Sequence, residues 1–197
     1  LGIYANDTES TYATTGKWND CSGNSYTLRL FACEWDHTKE NILPSSLETI
    51  GNSAFYGCTG LSGSLTVPSS VKSIGSNAFY NCYGFFGELR IEDGCEAAID
   101  SSAFRYCNGF SGLALGDGIK SIGSYAFSGC SGMKGDLIIP DSVTSIGSYA
   151  FSGCSGFDGR LVLSESLTSI PYQAFANCSG IQGELVIPNG VTVVYYQ

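Results

Sequence analysis

The sequence predicts an α/β solenoid. In this reading, stacked coils form a curved parallel sheet wound into a right-handed superhelix, strand-rich with short helical or 3₁₀ turns. Three observations carry the prediction. Cysteines recur at Cys58, Cys82, Cys107, Cys130, Cys154 and Cys178, in steps of 24, 25, 23, 24 and 24 residues. A phenylalanine stands three residues before each, at Phe55, Phe79, Phe104, Phe127, Phe151 and Phe175, and an alanine precedes every one of them. An isoleucine stands five residues before each Phe, from Ile50 and Ile74 to Ile146 and Ile170. A fixed period of this length marks a repeat architecture in which one unit cannot bury its own apolar face and neighbours must stack.

The elements of the unit follow in order. A triplet such as Leu65-Thr66-Val67 or Leu185-Val186-Ile187 alternates apolar and outward positions, as a half-buried strand does. Pro68, Pro140 and Pro188 follow the triplet and force a corner, since proline cannot continue a ladder. A second extended piece, as in Val71 to Ile74, comes next. The stretch G-x-x-A-F-x-x-C suits a single helical or 3₁₀ turn, ended by the glycine after the cysteine. The 25 and 23 steps belong together. The repeat through Ile91 to Phe104 carries one extra residue and the next, around Phe110 to Leu115, lacks one.

The unit L-x-[VI]-P-x-S-V-x-S-I-G-x-x-A-F-x-x-C-S-G-L resembles the BspA-like, or Treponema-type, leucine-rich repeats over about 150 residues of the chain. That family usually has a 23-residue unit. A glycine ahead of the strand, at Gly63, Gly87, Gly135, Gly159 and Gly183, makes 24 here. The resemblance implies a leucine-rich-repeat solenoid on the surface of a host-associated microbe, and adhesion to host or matrix proteins or to other microbes.

Residues 44–197 are read as six repeats and a partial seventh, residues 1–43 as an N-terminal cap. Within the cap, Trp18, Cys21, Leu28 and Leu30 match the template, so residues 17–30 read as a degenerate coil and 32–44 as an insertion. The chain begins at Leu1 without a methionine and stops mid-repeat at Val191 to Gln197, and is read as a trimmed piece of a longer one. The bare last edge predicts end-to-end self-association.

Composition narrows the function. Eighteen acidic residues against nine basic ones give a net charge of −9, unsuited to nucleic acid or to anionic membranes. No apolar run is long enough to span a bilayer. The ladder cysteines read as structural buried thiols, each able to satisfy a backbone carbonyl, because C-x-x-C pairs and histidine partners for zinc are missing. Cys33 and Cys95 lie outside the ladder, and a Cys21–Cys33 bridge fits a secreted chain. The lone His37 reads as exposed, so Cys–His and Ser-His-Asp catalysis have no base. No phosphate loop, dinucleotide fingerprint or calcium loop occurs, and no cofactor is expected. The acidic run Glu92, Asp93, Glu96 and Asp100 reads as a solvated loop.

The expected function is therefore non-enzymatic binding of a protein or matrix partner, with a glycan as a second ligand class, at an extracellular or cell-surface location. The expected site is the row that faces out of the sheet. Its triplet centres are Thr66, Arg90, Ala114, Ile138, Val162 and Val186, with Arg29 if the degenerate coil holds. The residues just before each triplet add Ser64, Glu88, Asp136, Arg160 and Glu184. This row varies while the core positions do not. Tyr56, Tyr80, Tyr106, Tyr125 and Tyr149 flank the A-F element and cover the outer turns, and exposed tyrosines suit recognition. The rival reading is a structural spacer within a longer surface protein.

Overall fold

The computed structural model describes the backbone of residues 4–6, 13–19, 25–31 and 41–42, and whole residues over 43–196. Parallel strand pairing recurs at two places in the coil, each set interrupted once along the stack. The triplets form the first, in the order Gly112–Leu115, Glu88–Ile91, Leu65–Val67, Asn41–Ile42, with Leu137–Ile138 and Leu161–Val162 as a further parallel pair. The second joins Thr49–Ile50, Ser73–Ile74, Ala98–Ile99, Ser121–Ile122 and Ser145–Ile146, with Ser169–Ile170 on Val193–Val194. Register is strict: Leu65 stands opposite Leu89 and Ile50 opposite Ile74. A slip of one residue would turn every apolar side chain of a strand to solvent.

The compensating slips in the repeat fall where the chain can absorb them. Cys95 occupies the place of Val71, buried, with its thiol donating to the Val71 carbonyl at 3.2 Å. The extra residue lies beyond it, and Ile99 is back in register with Ile74 and Ile122.

Between the ladders the expected helical turn is replaced by two consecutive tight turns, and among the described residues no helix occurs. Hydrogen bonding gives the reason. Ala78, Tyr80 and Cys82 donate their N–H groups to the carbonyls three residues back, at Gly75, Asn77 and Phe79. The alternate residues Asn77, Phe79 and Asn81 donate instead to Ser101, Ala103 and Arg105 of the next coil. A helix would keep all of these bonds within one coil and leave none for stacking. The alternation needs left-handed backbone at two places per coil. Ser53, Asn77, Ser102, Tyr125, Tyr149 and Gln173 supply the first, and Asn81, Tyr106, Asn177 and three glycines the second.

The core is a set of ladders. Phe79, Phe104, Phe127 and Phe151 stack at 5.1, 5.4 and 5.2 Å between ring centroids, all buried. The isoleucines of the second ladder, from Ile50 to Ile170, are buried beside them. Phe127 packs on a ring from each neighbouring coil. Phe127→Ala is expected to cost about 3–5 kcal/mol, read as a lower urea midpoint. A loss under about 1 kcal/mol would mean that the ring ladder does not hold the coils together.

The first parallel strand is Asn41–Ile42, inside the segment read as cap. The described residues of the expected degenerate coil, 17–19 and 25–30, lie in antiparallel strands. Ala13–Asn19 and Ser25–Phe31 pair antiparallel, Trp18 opposite Tyr26, in a sheet with Tyr4–Asn6. Arg29 stands opposite Thr15 and is not in the outward row. Cys21, Cys33 and His37, with the Cys21–Cys33 bridge, lie outside the described residues. At the other end the expected triplet Leu185-Val186-Ile187 forms no strand, and Leu185 and Ile187 are 54% and 40% exposed, where the same positions inside the stack are buried or half-buried.

Candidate functional site: the outward row of the triplet sheet

Strand alternation places the row. In Glu88–Ile91, Glu88 and Arg90 are exposed while Leu89 and Ile91 are buried. In-register pairing brings Thr66 beside Arg90, Arg90 beside Ala114, and Ile138 beside Val162. Ser64, Thr66 and Ala114 are half-buried. The row changes character along the stack. Its first part is polar, with Ser64 accepting from the Glu88 N–H at 3.2 Å. Its last part is apolar at the centre: Ile138 is 54% exposed, Val162 39% and Val186 65%.

Charges line this apolar strip. Asp136 accepts from the Arg160 backbone N–H at 2.7 Å and from its guanidinium at 3.0 Å. These bonds, the backbone one first, hold the Asp136 carboxyl below its ordinary range. They also fix the Arg160 side chain across two coils. Beyond it, Arg160, Val162, Leu163, Glu165, Glu184 and Val186 line an open depression of about 180 Å³. The sequence did not show Glu165 as lining this depression, nor Ile42 as the register partner of Thr66. Glu165 lies past the triplet, and Ile42 sits in a strand whose leading position holds Asn41 in place of leucine.

The ladder cysteines lie at the end of the A-F turns. Cys82, Cys107, Cys130, Cys154 and Cys178 donate their thiols to the carbonyls of Phe55, Phe79, Phe104, Phe127 and Phe151 of the preceding coil, at 2.9, 2.9, 3.0, 3.1 and 3.1 Å. Each of those carbonyls also accepts the N–H of its own coil's cysteine. One acceptor thus closes a turn and joins two coils. Cys58, in the first repeat, is half-buried. Burial raises the Cys130 and Cys154 thiols far above the ordinary thiol range, and Cys178 to about 11. For Cys82 the hydrogen bond with Cys107 is the larger cause and burial the second. A protonated interior thiol is a poor nucleophile and a poor metal ligand. Among the described residues, no group of three or more His, Cys, Asp or Glu is placed to hold a metal ion.

Short strands in two parallel ladders, a coil of about 24 residues and an interior of stacked Phe, Ile and Cys define a leucine-rich-repeat β-solenoid. The BspA type leucine rich repeat profile matches in six copies over residues 27–98 and 97–197, and the chain belongs to that family. Among solved structures, the leucine rich repeat protein of T. pallidum is similar, with a TM-score of 0.69 and 25% identity over 96% of this chain and 86% of that one. A leucine-rich repeat protein from Bacteroides ovatus shares the fold, with a TM-score of 0.64 and 24% identity over 89% of this chain and 46% of its own. One from Eubacterium ventriosum does so at 0.63 and 21%, over 79% and 41%. The chain spans less than half of the last two. No curated protein matches it.

Proposed function

We propose that this chain is a non-enzymatic recognition module that binds a protein or matrix partner, outside the cell or on its surface, through the outward row of the triplet sheet. The observation that carries the reading is the exposed strip Ile138, Val162 and Val186 beside the pinned Asp136–Arg160 pair. Three large aliphatic side chains exposed along one strip, Ile138 and Val162 paired in the sheet and Val186 beside Val162 at the same depression, cost solubility unless something covers them. Flanking charges supply orientation to whatever does. Membership of the BspA type family supports a surface location.

The test is retention on a panel of immobilised extracellular matrix proteins. The comparison is between the native chain, Arg90→Glu with Arg160→Glu, and Ile138→Asp with Val162→Asp. At least one panel member should hold the native chain, and each double variant should lose it about ten-fold or more with the melting transition kept. Retention that ignores the row, or none at all, sinks the assignment and favours a spacer, which needs no contact there.

A further inference from the structure

A second surface runs along the other flank. Tyr56 and Tyr80 stack at 4.9 Å, and Tyr80 meets Tyr106 edge to face at 5.6 Å. The Arg105 guanidinium then bridges Tyr106 and Tyr125, at 4.8 and 4.5 Å from their centroids. Tyr125 stacks on Tyr149 at 4.7 Å, Tyr149 meets Tyr172 at 5.3 Å, and Tyr172 meets Tyr196 at 6.0 Å. One line of rings, joined between Tyr106 and Tyr125 by Arg105, therefore runs along the stacking axis, about one ring per coil.

The rings do not share one place in the repeat. Tyr56 and Tyr80 follow the ladder Phe directly, and Tyr106 follows it by two. Tyr125 and Tyr149 precede it by two, and Tyr172 by three. Plain copying of a repeat would keep one position, so what is held constant is the face. Three of the rings also sit where an aromatic residue is unfavourable. Tyr106, Tyr125 and Tyr149 have φ of 61°, 59° and 60°, at sites that other coils fill with Asn, Ser, Gln or Gly. Strain kept at one surface points to a use for that surface.

Charge states what the surface fits. The six segments 51–59, 75–83, 100–108, 123–131, 147–155 and 171–179 hold only two charged residues, Asp100 and Arg105. Arg105 is already engaged by two rings and by the Tyr106 hydroxyl at 3.1 Å. The rest of the flank is Ser, Asn, Gln and Gly, a hydroxyl- and amide-rich frame around tyrosine like that of adaptable binding loops. A uniform, uncharged series of hydroxyls, amides and rings, repeated once per coil, matches a uniform, uncharged polymer of ring-sized units.

We propose that this tyrosine flank binds a neutral polysaccharide lying along the stacking axis, about one sugar per coil. Sugar hydroxyls meet the Ser, Asn and Tyr polar groups. The rings turned out of the stack, Tyr106 and Tyr172, each 40% exposed, offer apolar contact to sugar C–H faces.

The test is mobility in native gels cast with a panel of neutral polysaccharides (α- and β-glucans, mannan, xylan) and with alginate as the anionic comparison. The variant is Tyr125→Asn with Tyr149→Asn and Tyr172→Ser. Asparagine removes two rings while suiting the left-handed backbone, as Asn77, Asn81 and Asn177 already do, so folding is kept. At least one neutral polysaccharide should retard the chain and alginate should not. The variant should bind at least ten-fold more weakly with an unchanged or higher melting temperature, and the Ile138 and Val162 variant should be retarded like the native chain. No retardation by any neutral member, or equal retardation of the tyrosine variant, overturns the proposal. So does a matrix protein released by the tyrosine variant with no polysaccharide bound, which would make the flank a protein interface.

Discussion

The folded chain should lose stability steeply above pH 9. Cys82, Cys130 and Cys154 are held protonated, by the Cys107 bond and burial in the first case and by burial first in the others. In the unfolded chain each ionises near the ordinary value of about 8.5–9. Their folded pKa is raised, so above that value the unfolded state binds fewer protons and gains on the folded one. The stabilisation is complete below about pH 8.5 and is lost as pH rises. One unit above the unfolded value each thiol contributes about 1.4 kcal/mol of loss, and three contribute about 4 kcal/mol. That is comparable to the whole stability of a marginal domain. Cys95 adds in the same direction, and the loss from Cys178 ends at about pH 11. Urea midpoints taken from pH 7.5 to 10.5 should be level at first and then fall. In Cys130→Ala the slope of the fall should drop by about a fifth, one thiol of the five that contribute, whatever its stability at neutral pH. Midpoints that stay level to pH 10.5 would mean that the thiols ionise in place.

The cost of an ionised thiol follows from the same stacking that made the fold legible. Every coil buries its Ile, Phe and Cys against copies of themselves, so the requirement at each position is the same in every repeat. Selection for the fold then writes a 24-residue period into the chain, and the ladders can be read before any coordinates. The triplet alternation was legible for a related reason, since one face of the sheet is core and the other solvent. The turn was not. Ala and Phe at helical spacing look helical, and the bonds that decide against a helix run to the next coil, 22 to 24 residues away. Left-handed Ser53, Ser102 and Gln173 leave no mark, because those residue types do not announce a positive φ.

The N-terminal misreading has a different origin. Trp18 and Cys21-Ser22-Gly23 copy the local signature, but pairing direction belongs to the partner strand, and there it is antiparallel. The first described parallel strand, Asn41–Ile42, was hidden by a polar residue in register with Leu65, where later triplets carry leucine. Of the candidate surfaces, the outward row could be read from alternation alone. The tyrosine line could not. Its rings come from four places in the repeat, and only the packed coils bring them together.

Gly109→Ala should be among the most damaging single changes in the chain. Gly109 stands two residues after Cys107, where the coil turns away from the A-F element. A Cβ there would overlap the Phe85 and Tyr83 carbonyl oxygens of the preceding coil. Gly84, Gly132, Gly156 and Gly180 meet the same obstacle one coil apart. None of these has a positive φ, so the need for glycine is one of space, not conformation. Both sides of the contact are backbone, so no rotamer change relieves it. The coils must separate, and each coil is stabilised chiefly by its neighbours. The loss should reach about 4–5 kcal/mol, above the usual range for overpacking by a single methyl group. Gly135 is the contrasting site. Its φ is +83° and its Cβ would meet nothing within 4 Å, so alanine there meets only backbone strain, of order 1–2 kcal/mol. If urea unfolding ranked Gly135→Ala as the worse of the two, the close approach of coil to coil at Gly109 would not be what limits the stack.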